Sequence, residues 1–147
     1  MRAVVQRVSW ASVSVGGEIL SEIREGLLVL LAVGADDEES DLDWMVDKIV
    51  HLRCFEDQAG KMNISLLDSG REMLCISQFT LYGDCRRGRR PSFDGAAGPA
   101  PAFGFYEKFV DRIGKKGIKI KVGQFGAKMR VASENDGPVN LILDSRT

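Results

Sequence analysis

Residues 26–34 read Gly26-Leu27-Leu28-Val29-Leu30-Leu31-Ala32-Val33-Gly34, a run without a polar side chain at any position. Successive side chains of a strand point to opposite faces, so a strand apolar throughout must be covered on both. As a helix the run falls far short of the ~20 apolar residues that cross a bilayer. It predicts a central strand with structure packed above and below it.

The flanks agree with that reading. Upstream, Arg2–Val8 and Ala11–Val15 are two short β-type runs, the second alternating Val13 and Val15 against Ser12 and Ser14. Gly16-Gly17 reads as a hairpin turn into Glu18–Ile23. Downstream, Asp36 to Glu39 place acid where a helix begins. Leu42, Met45, Val46, Ile49 and Leu52 then recur at helical spacing, which predicts an amphipathic helix over 38–53. Phe55–Asn63 is a turn-rich loop around Gly60 that lacks the spacing of a calcium loop. Arg71–Gly83 reads as another strand, and Arg86–Gly104 as a loop dense in Arg, Gly and Pro. Phe105, Tyr106, Phe109, Val110 and Ile113 mark a second helix, and Ile118–Val122, Lys128–Ala132 and Val139–Asp144 close the chain as strands. About seven strands and two helices in residues 1–147 make a single compact α/β domain, with no linker or internal repeat.

Composition narrows the chemistry. With 147 residues, 44% hydrophobic and 28% charged, the chain belongs among globular domains rather than disordered ones. It opens on MRAVVQRV, with no apolar targeting segment, so we expect a cytoplasmic protein without a membrane partner. Cys54, Cys75 and Cys85 are odd in number and lack CxxC spacing, which argues against a disulfide framework. The single histidine, His51, excludes a His-rich metal site and most Cys/His zinc arrangements, so no metal or cofactor is expected. His51 sits at the end of the first helix, where capping or surface exposure is expected rather than catalysis.

The net charge is −1, yet residues 1–82 hold 7 Lys/Arg against 14 Asp/Glu and residues 83–147 hold 13 against 7. The basic half is a candidate for phosphate contacts. Arg86, Arg87, Arg89 and Arg90 put four guanidinium groups in five residues, a chemistry suited to bidentate phosphate binding.

The strongest chemical candidate is Ser77-Gln78-Phe79-Thr80-Leu81-Tyr82-Gly83. If the strand continues, Gln78, Thr80 and Tyr82 share one face, and a buried strand turning polar at its carboxyl end is where α/β proteins often hold ligands. Asn135-Asp136-Gly137-Pro138-Val139-Asn140 reads locally as a turn before the last strand.

SQFTLYG at 77–83, RRPSF at 89–93, FGAKM at 125–129 and NDGPV at 135–139 occur in order, with MRAVVQRV at the start and FEDQAGKMN between. Together they closely resemble the bacterial D-aminoacyl-tRNA deacylases over essentially the whole chain. The resemblance implies an α/β/β layered domain of two β-sheets with two helices on one side. It implies a homodimer with active sites at the subunit interface, acting on D-aminoacyl-tRNA to release free D-amino acid and tRNA.

By the same resemblance, Ser77, Gln78, Phe79 and Thr80 line the catalytic site, with backbone amides near Phe79 and Thr80 holding the oxyanion. The substrate's ribose 2′-hydroxyl would assist, since a Thr80 nucleophile lacks an activating base. Gly137 and Pro138 match the family's Gly-cis-Pro pair, which reaches into the partner's site and rejects L-residues while leaving glycine incompletely excluded. Ala127 and Met129 would lie near the substrate pocket. Arg86, Arg87, Arg89, Arg90, Lys115 and Lys116 are the candidate tRNA contacts. The chain departs from the family at Asn140, where Thr usually follows Gly-Pro-Val. A non-catalytic tRNA-binding protein of the same fold is the alternative.

Overall fold

The computed structural model describes residues 1–147. In chain order the strands are β1 (Arg2–Val15), β2 (Glu18–Ile23), β3 (Gly26–Ala32), β4 (Phe55–Glu56), β5 (Met62–Ile64), β6 (Glu72–Ser77), β7 (Ile120–Val122) and β8 (Arg130–Asp144). The helices are α1 (Glu39–His51), the short α2 (Leu66–Ser69) and α3 (Pro99–Lys115), and a 3-10 turn spans Phe79–Tyr82.

β1 is the hub of a six-stranded mixed sheet. Its first half pairs antiparallel with β3, its second half with β2, and its other edge with β8 from Arg2 to Ser14. β3 runs parallel to β6, and β6 to β7. A second, two-stranded sheet is the hairpin β4–β5. The glycine at the head of β3 is a steric requirement, because a Cβ on Gly26 would stand 2.0 Å from the Glu72 carbonyl oxygen.

The two short runs expected in the first 15 residues are one strand interrupted by a bulge. Val8 faces Asn135 and Trp10 faces Glu134, so Ser9 is extra. An extra residue reverses which face each side chain takes and bends the strand. Before the bulge, Ala3 and Val5 join the core beneath the helices; after it, Ala11 and Val13 join a second core. β1 thereby folds its second half, with β2, over the outer face of β3 and β6.

Three layers result. Leu27, Val29 and Leu31 of β3 and Met73 and Cys75 of β6 meet Leu42, Met45 and Ile49 of α1 and Phe109 and Ile113 of α3. On the opposite face, Leu28, Leu74 and Ile76 meet Val8, Ala11, Val13 and Ile23. The apolar run at 26–34 is covered on both sides, as its pattern requires.

Other boundaries differ from the sequence reading. Strand β6 stops at Ser77 and the chain tightens into the 3-10 turn, so Gln78, Thr80 and Tyr82 do not share a strand face. Helix α3 begins at Pro99 rather than near Phe105; proline suits the first helical turn because its missing N–H would have no partner there. The loop expected at 55–63 contains β4 and β5, its turn held by the Asp57 carboxylate, which accepts the Ala59 and Lys61 N–H groups. Helix α2 adds to the two helices expected. The run expected at 128–132 starts at Arg130, and with 139–144 it belongs to the single strand β8, so that NDGPVN is an excursion within β8 rather than a turn ahead of it.

Cross-pairing tempers the charge asymmetry. Lys108 and Arg112 of α3 pair with Glu39 and Asp43 of α1, Lys119 with Glu72, and Arg146 with Asp41. No helix is long and apolar enough to cross a membrane.

Candidate active site

β6 is buried through Ile76, after which Ser77 and Gln78 are half-buried and the chain turns. The turn Phe79–Tyr82 is clamped from behind. Tyr82 packs so closely on Gly34 that a Cβ there would lie 2.6 Å from its hydroxyl oxygen. The Arg2 guanidinium covers the Tyr82 ring at 4.5 Å, donates to the Leu81 carbonyl at 3.3 Å and is itself held by Asp144 at 2.8 Å. Burial, and then the charges of Asp37 and Asp144, push the Tyr82 phenol well above its ordinary pKa. It stays neutral at physiological pH.

In front of this turn lies a cavity of about 540 Å³. Its floor is the run Ile76–Phe79; Phe93, Ala96 and Ala97 form one wall, Ala102 and Tyr106 of α3 another, and Phe125 to Ala127, Met129 and Val131 a third. The first wall is pinned by main-chain bonds. Asp84 and Ser92 exchange two at 2.7 and 3.0 Å, Ala35 N–H donates to Gly95 at 3.0 Å, and Ala97 N–H donates to Val33 at 2.9 Å. Phe79 meets Phe93 edge-on, with ring centroids 5.2 Å apart. The Tyr106 hydroxyl donates to the Cys75 carbonyl at 2.8 Å, anchoring α3 to the end of β6, and burial raises its pKa too.

Of the expected site residues, Ser77, Gln78, Phe79, Ala127 and Met129 come together in the cavity lining. Thr80 lies outside the lining and is exposed, its Oγ1 accepting from Gln78 Nε2 at 2.5 Å. No carboxylate, histidine or lysine lines the cavity. His51 ends α1 with Nδ1 3.0 Å from the Asp47 carbonyl oxygen, away from the lining. No three His, Cys, Asp or Glu side chains are grouped as metal ligands.

Gly137 and Pro138 are joined by a cis bond, are exposed on their own chain and do not line its cavity. Among the basic candidates, Arg86 chelates Asp84 at 2.6 Å and Lys115 pairs with Asp111 at 2.6 Å. Arg87, Arg89, Arg90 and Lys116 are exposed and without a carboxylate partner. Sequence reasoning found part of one wall, Ala127 and Met129, and missed the other two. Tyr106 reads as helical core from its spacing, Phe93 and Phe125 sit in the motifs RRPSF and FGAKM without being singled out, and nothing local marks Ala96 or Ala97.

Chemically, the arrangement is suited to positioning and polarising a bound group rather than to acid–base catalysis by side chains. The N–H groups of Phe79 and Thr80 open the 3-10 turn and so have no acceptor within it. Ionised side chains that could act as strong bases are absent from the lining.

Comparison with known proteins identifies the class. The family described as D-Tyr-tRNA(Tyr) deacylase matches residues 4–144. The chain is 58% identical over 147 residues to the D-aminoacyl-tRNA deacylase of Thermosipho melanesiensis, covering 99% of this chain and 98% of that one. It is 56% identical over 145 residues to the corresponding protein of Clostridioides difficile, covering 99% and 97%. A solved structure described as c-Myc DNA Unwinding Element Binding Protein matches with a TM-score of 0.94 at 45% identity over 100% of both chains. A structure described as a probable eukaryotic D-amino acid tRNA deacylase shares the fold, with a TM-score of 0.86 at 16% identity over 97% of each chain. These matches define a hydrolase. The chain belongs to the D-Tyr-tRNA(Tyr) deacylase family, and its activity is that of a D-aminoacyl-tRNA deacylase.

Proposed function

We propose that the cavity at the end of β6 receives the acylated 3′ end of tRNA and that the ester is cleaved without a side-chain nucleophile. Water attacks the ester carbonyl. The backbone N–H groups of Phe79 and Thr80 donate to the oxyanion, and the neighbouring ribose 2′-hydroxyl relays the proton to the departing 3′-oxygen. The observation that carries this reading is a mostly apolar lining whose polar side chains, Ser77 and Gln78, are uncharged, with no ionised group in it. An aminoacyl ester is already reactive, so orientation and preorganised donors can supply the rate. Thr80 is a poor nucleophile here, since its hydroxyl accepts from the Gln78 amide and no base stands beside it.

Chiral selection comes from a second copy of the chain. In a homodimer, Gly137 and Pro138 of one subunit enter the partner's cavity and their carbonyls hold the substrate ammonium. A D-side chain then points outward and an L-side chain collides with backbone, while glycine, having no side chain, is not fully excluded. The exposure of both residues on their own chain supports this reading. Arg87, Arg89, Arg90 and Lys116, with Arg86 and Lys115 beside them, meet tRNA phosphates in the cytoplasm.

The test is deacylation of matched D-tyrosyl-, L-tyrosyl- and glycyl-tRNA. Rapid loss of the D-ester, survival of the L-ester and measurable loss of the glycyl ester are expected. Equal loss of the D- and L-esters would refute the gate, and full activity in a monomer under sedimentation would refute the shared site. A Thr80→Ala variant should keep most of its turnover; collapse would restore the nucleophile.

A further inference from the structure

Strand β8 leaves its ladder with β1 between Asn135, which faces Val8, and Asn140, which faces Gln6. Residues 136–139 therefore protrude where β1 has only Arg7, and the protrusion carries Gly137 and Pro138. Arg7 braces it from beneath, with Nε donating to the Asp136 carbonyl at 3.0 Å and Nη1 to the Cys54 carbonyl at 2.9 Å.

Its two stems are joined by a row of side-chain amides. The Val139 N–H donates to Asn135 Oδ1 at 2.8 Å. Asn135 Nδ2 donates to Asn140 Oδ1 at 2.6 Å, and Gln6 Nε2 donates to the same oxygen at 2.7 Å. The direction of the row follows from chemistry. An amide's oxygen and nitrogen are easily exchanged in a structure, but a backbone N–H can only donate. Val139 therefore demands the oxygen of Asn135, which turns the Asn135 nitrogen toward Asn140. Asn140 must then present its oxygen, and Gln6 its nitrogen. Asn140 acts purely as a double acceptor, tying both stems of the excursion to β1 at one atom.

We propose that Asn140, with Asn135 and Gln6, is a positioning residue for stereochemical selection, holding Gly137 and Pro138 at the height at which they meet substrate. This rests on the reading of Gly137-Pro138 as the chiral gate. A gate that works by collision near Cα must stand firm to fractions of an ångström, and the hydrogen bonds that close its stems from the β8 side run through Asn140 and Asn135.

The experiment compares kcat/KM for D-tyrosyl- and L-tyrosyl-tRNA in Asn140→Leu and Asn140→Asp. In Asn140→Leu the D-over-L ratio falls roughly tenfold, the order expected when two ordinary hydrogen bonds are removed. In Asn140→Asp the ratio is restored, because a carboxylate accepts from both N–H donors. A ratio unchanged in the Leu variant, or lowered equally in both, overturns the proposal. Should Asn140→Leu fail to fold, Gln6→Leu removes one donor only and must lower the ratio by less; no change there also overturns it. Pro138→Ala separates this inference from the reading beneath it. If Pro138→Ala leaves the ratio intact, the gate itself is wrong. If it abolishes discrimination while Asn140→Leu does not, the gate stands and the positioning role of Asn140 falls.

Discussion

The cavity beyond β6 and the excursion of β8 are built by opposite means. The first is enclosed mostly by apolar side chains and main-chain bonds, with Ser77 and Gln78 as its polar lining, and the strand leading to it is buried through Ile76. The second is exposed and is held by polar side chains, Arg7 from below and the Gln6–Asn140–Asn135 row across its stems. Packing responds to volume, so the cavity is shaped by everything around it. A hydrogen-bonded excursion responds to donors and acceptors, so its geometry can change while the core stays intact. On the proposed reading, substrate fit and stereochemical selection can therefore be altered separately.

The largest effect should come from the packed side. Phe109 is fully buried between α3 and the sheet, and Phe109→Ala should cost about 3–5 kcal/mol in urea unfolding. Activity should fall only in proportion to the unfolded fraction. Ala102→Phe fills the cavity without touching the excursion. It should lower kcat/KM for the D-ester roughly a hundredfold, equivalent to about 2.7 kcal/mol, with the urea midpoint changed far less. If turnover survives, the cavity is not where the substrate sits.

Gly137→Ala probes the other side. The residue has φ +129°, and an added Cβ would lie 2.8 Å from Val139 Cγ2 and 2.9 Å from Arg7 Nη2. We expect about 1–2 kcal/mol of destabilisation together with a lowered D-over-L ratio. A variant that loses D-ester turnover and keeps its selectivity would break this separation of fit from selection.

The far end of β8 should show a smaller, pH-dependent effect. Burial alone would raise the Asp41 pKa. The Arg146 guanidinium, the Glu38 N–H and the Ser145 hydroxyl outweigh it and hold the carboxyl well below the usual range. With the folded-state pKa below an unfolded value near ~3.9, this stabilisation is present at neutral pH and is lost as pH falls below about 4. Asp41→Asn should be less stable at pH 7 and show a flatter decline in acid. The smallest change concerns the exposed cations. Replacing Arg87, Arg89 and Arg90 with Ala should reduce the salt dependence of tRNA binding by roughly 0.7–0.9 in log–log slope for each phosphate no longer neutralised.

Much of the fold was legible because burial leaves a local period. GLLVLLAVG at 26–34 announced a strand covered on both faces, Leu42 to Leu52 a helix with one apolar stripe, and Gly16-Gly17 a hairpin. The motif SQFTLYG falls on the floor of the cavity, but its pattern did not show the shape there. Alternation suggested that the strand runs through it, whereas the clamp of Arg2 and Gly34 on Tyr82 closes it into a turn.

What the sequence determined by itself was therefore the identity of the layers and the family to which the chain belongs, since both are written in nearby residues and in short motifs in order. What only the tertiary structure decided was where strands bend and what stands opposite them. The bulge at Ser9 depends on the pairing of β1 with β8, the cavity walls on contacts between distant segments, and the row through Asn140 on Gln6, 134 residues away. Backbone pairing partners leave no periodic trace in the chain that makes them, so these features emerge only when the sheet closes.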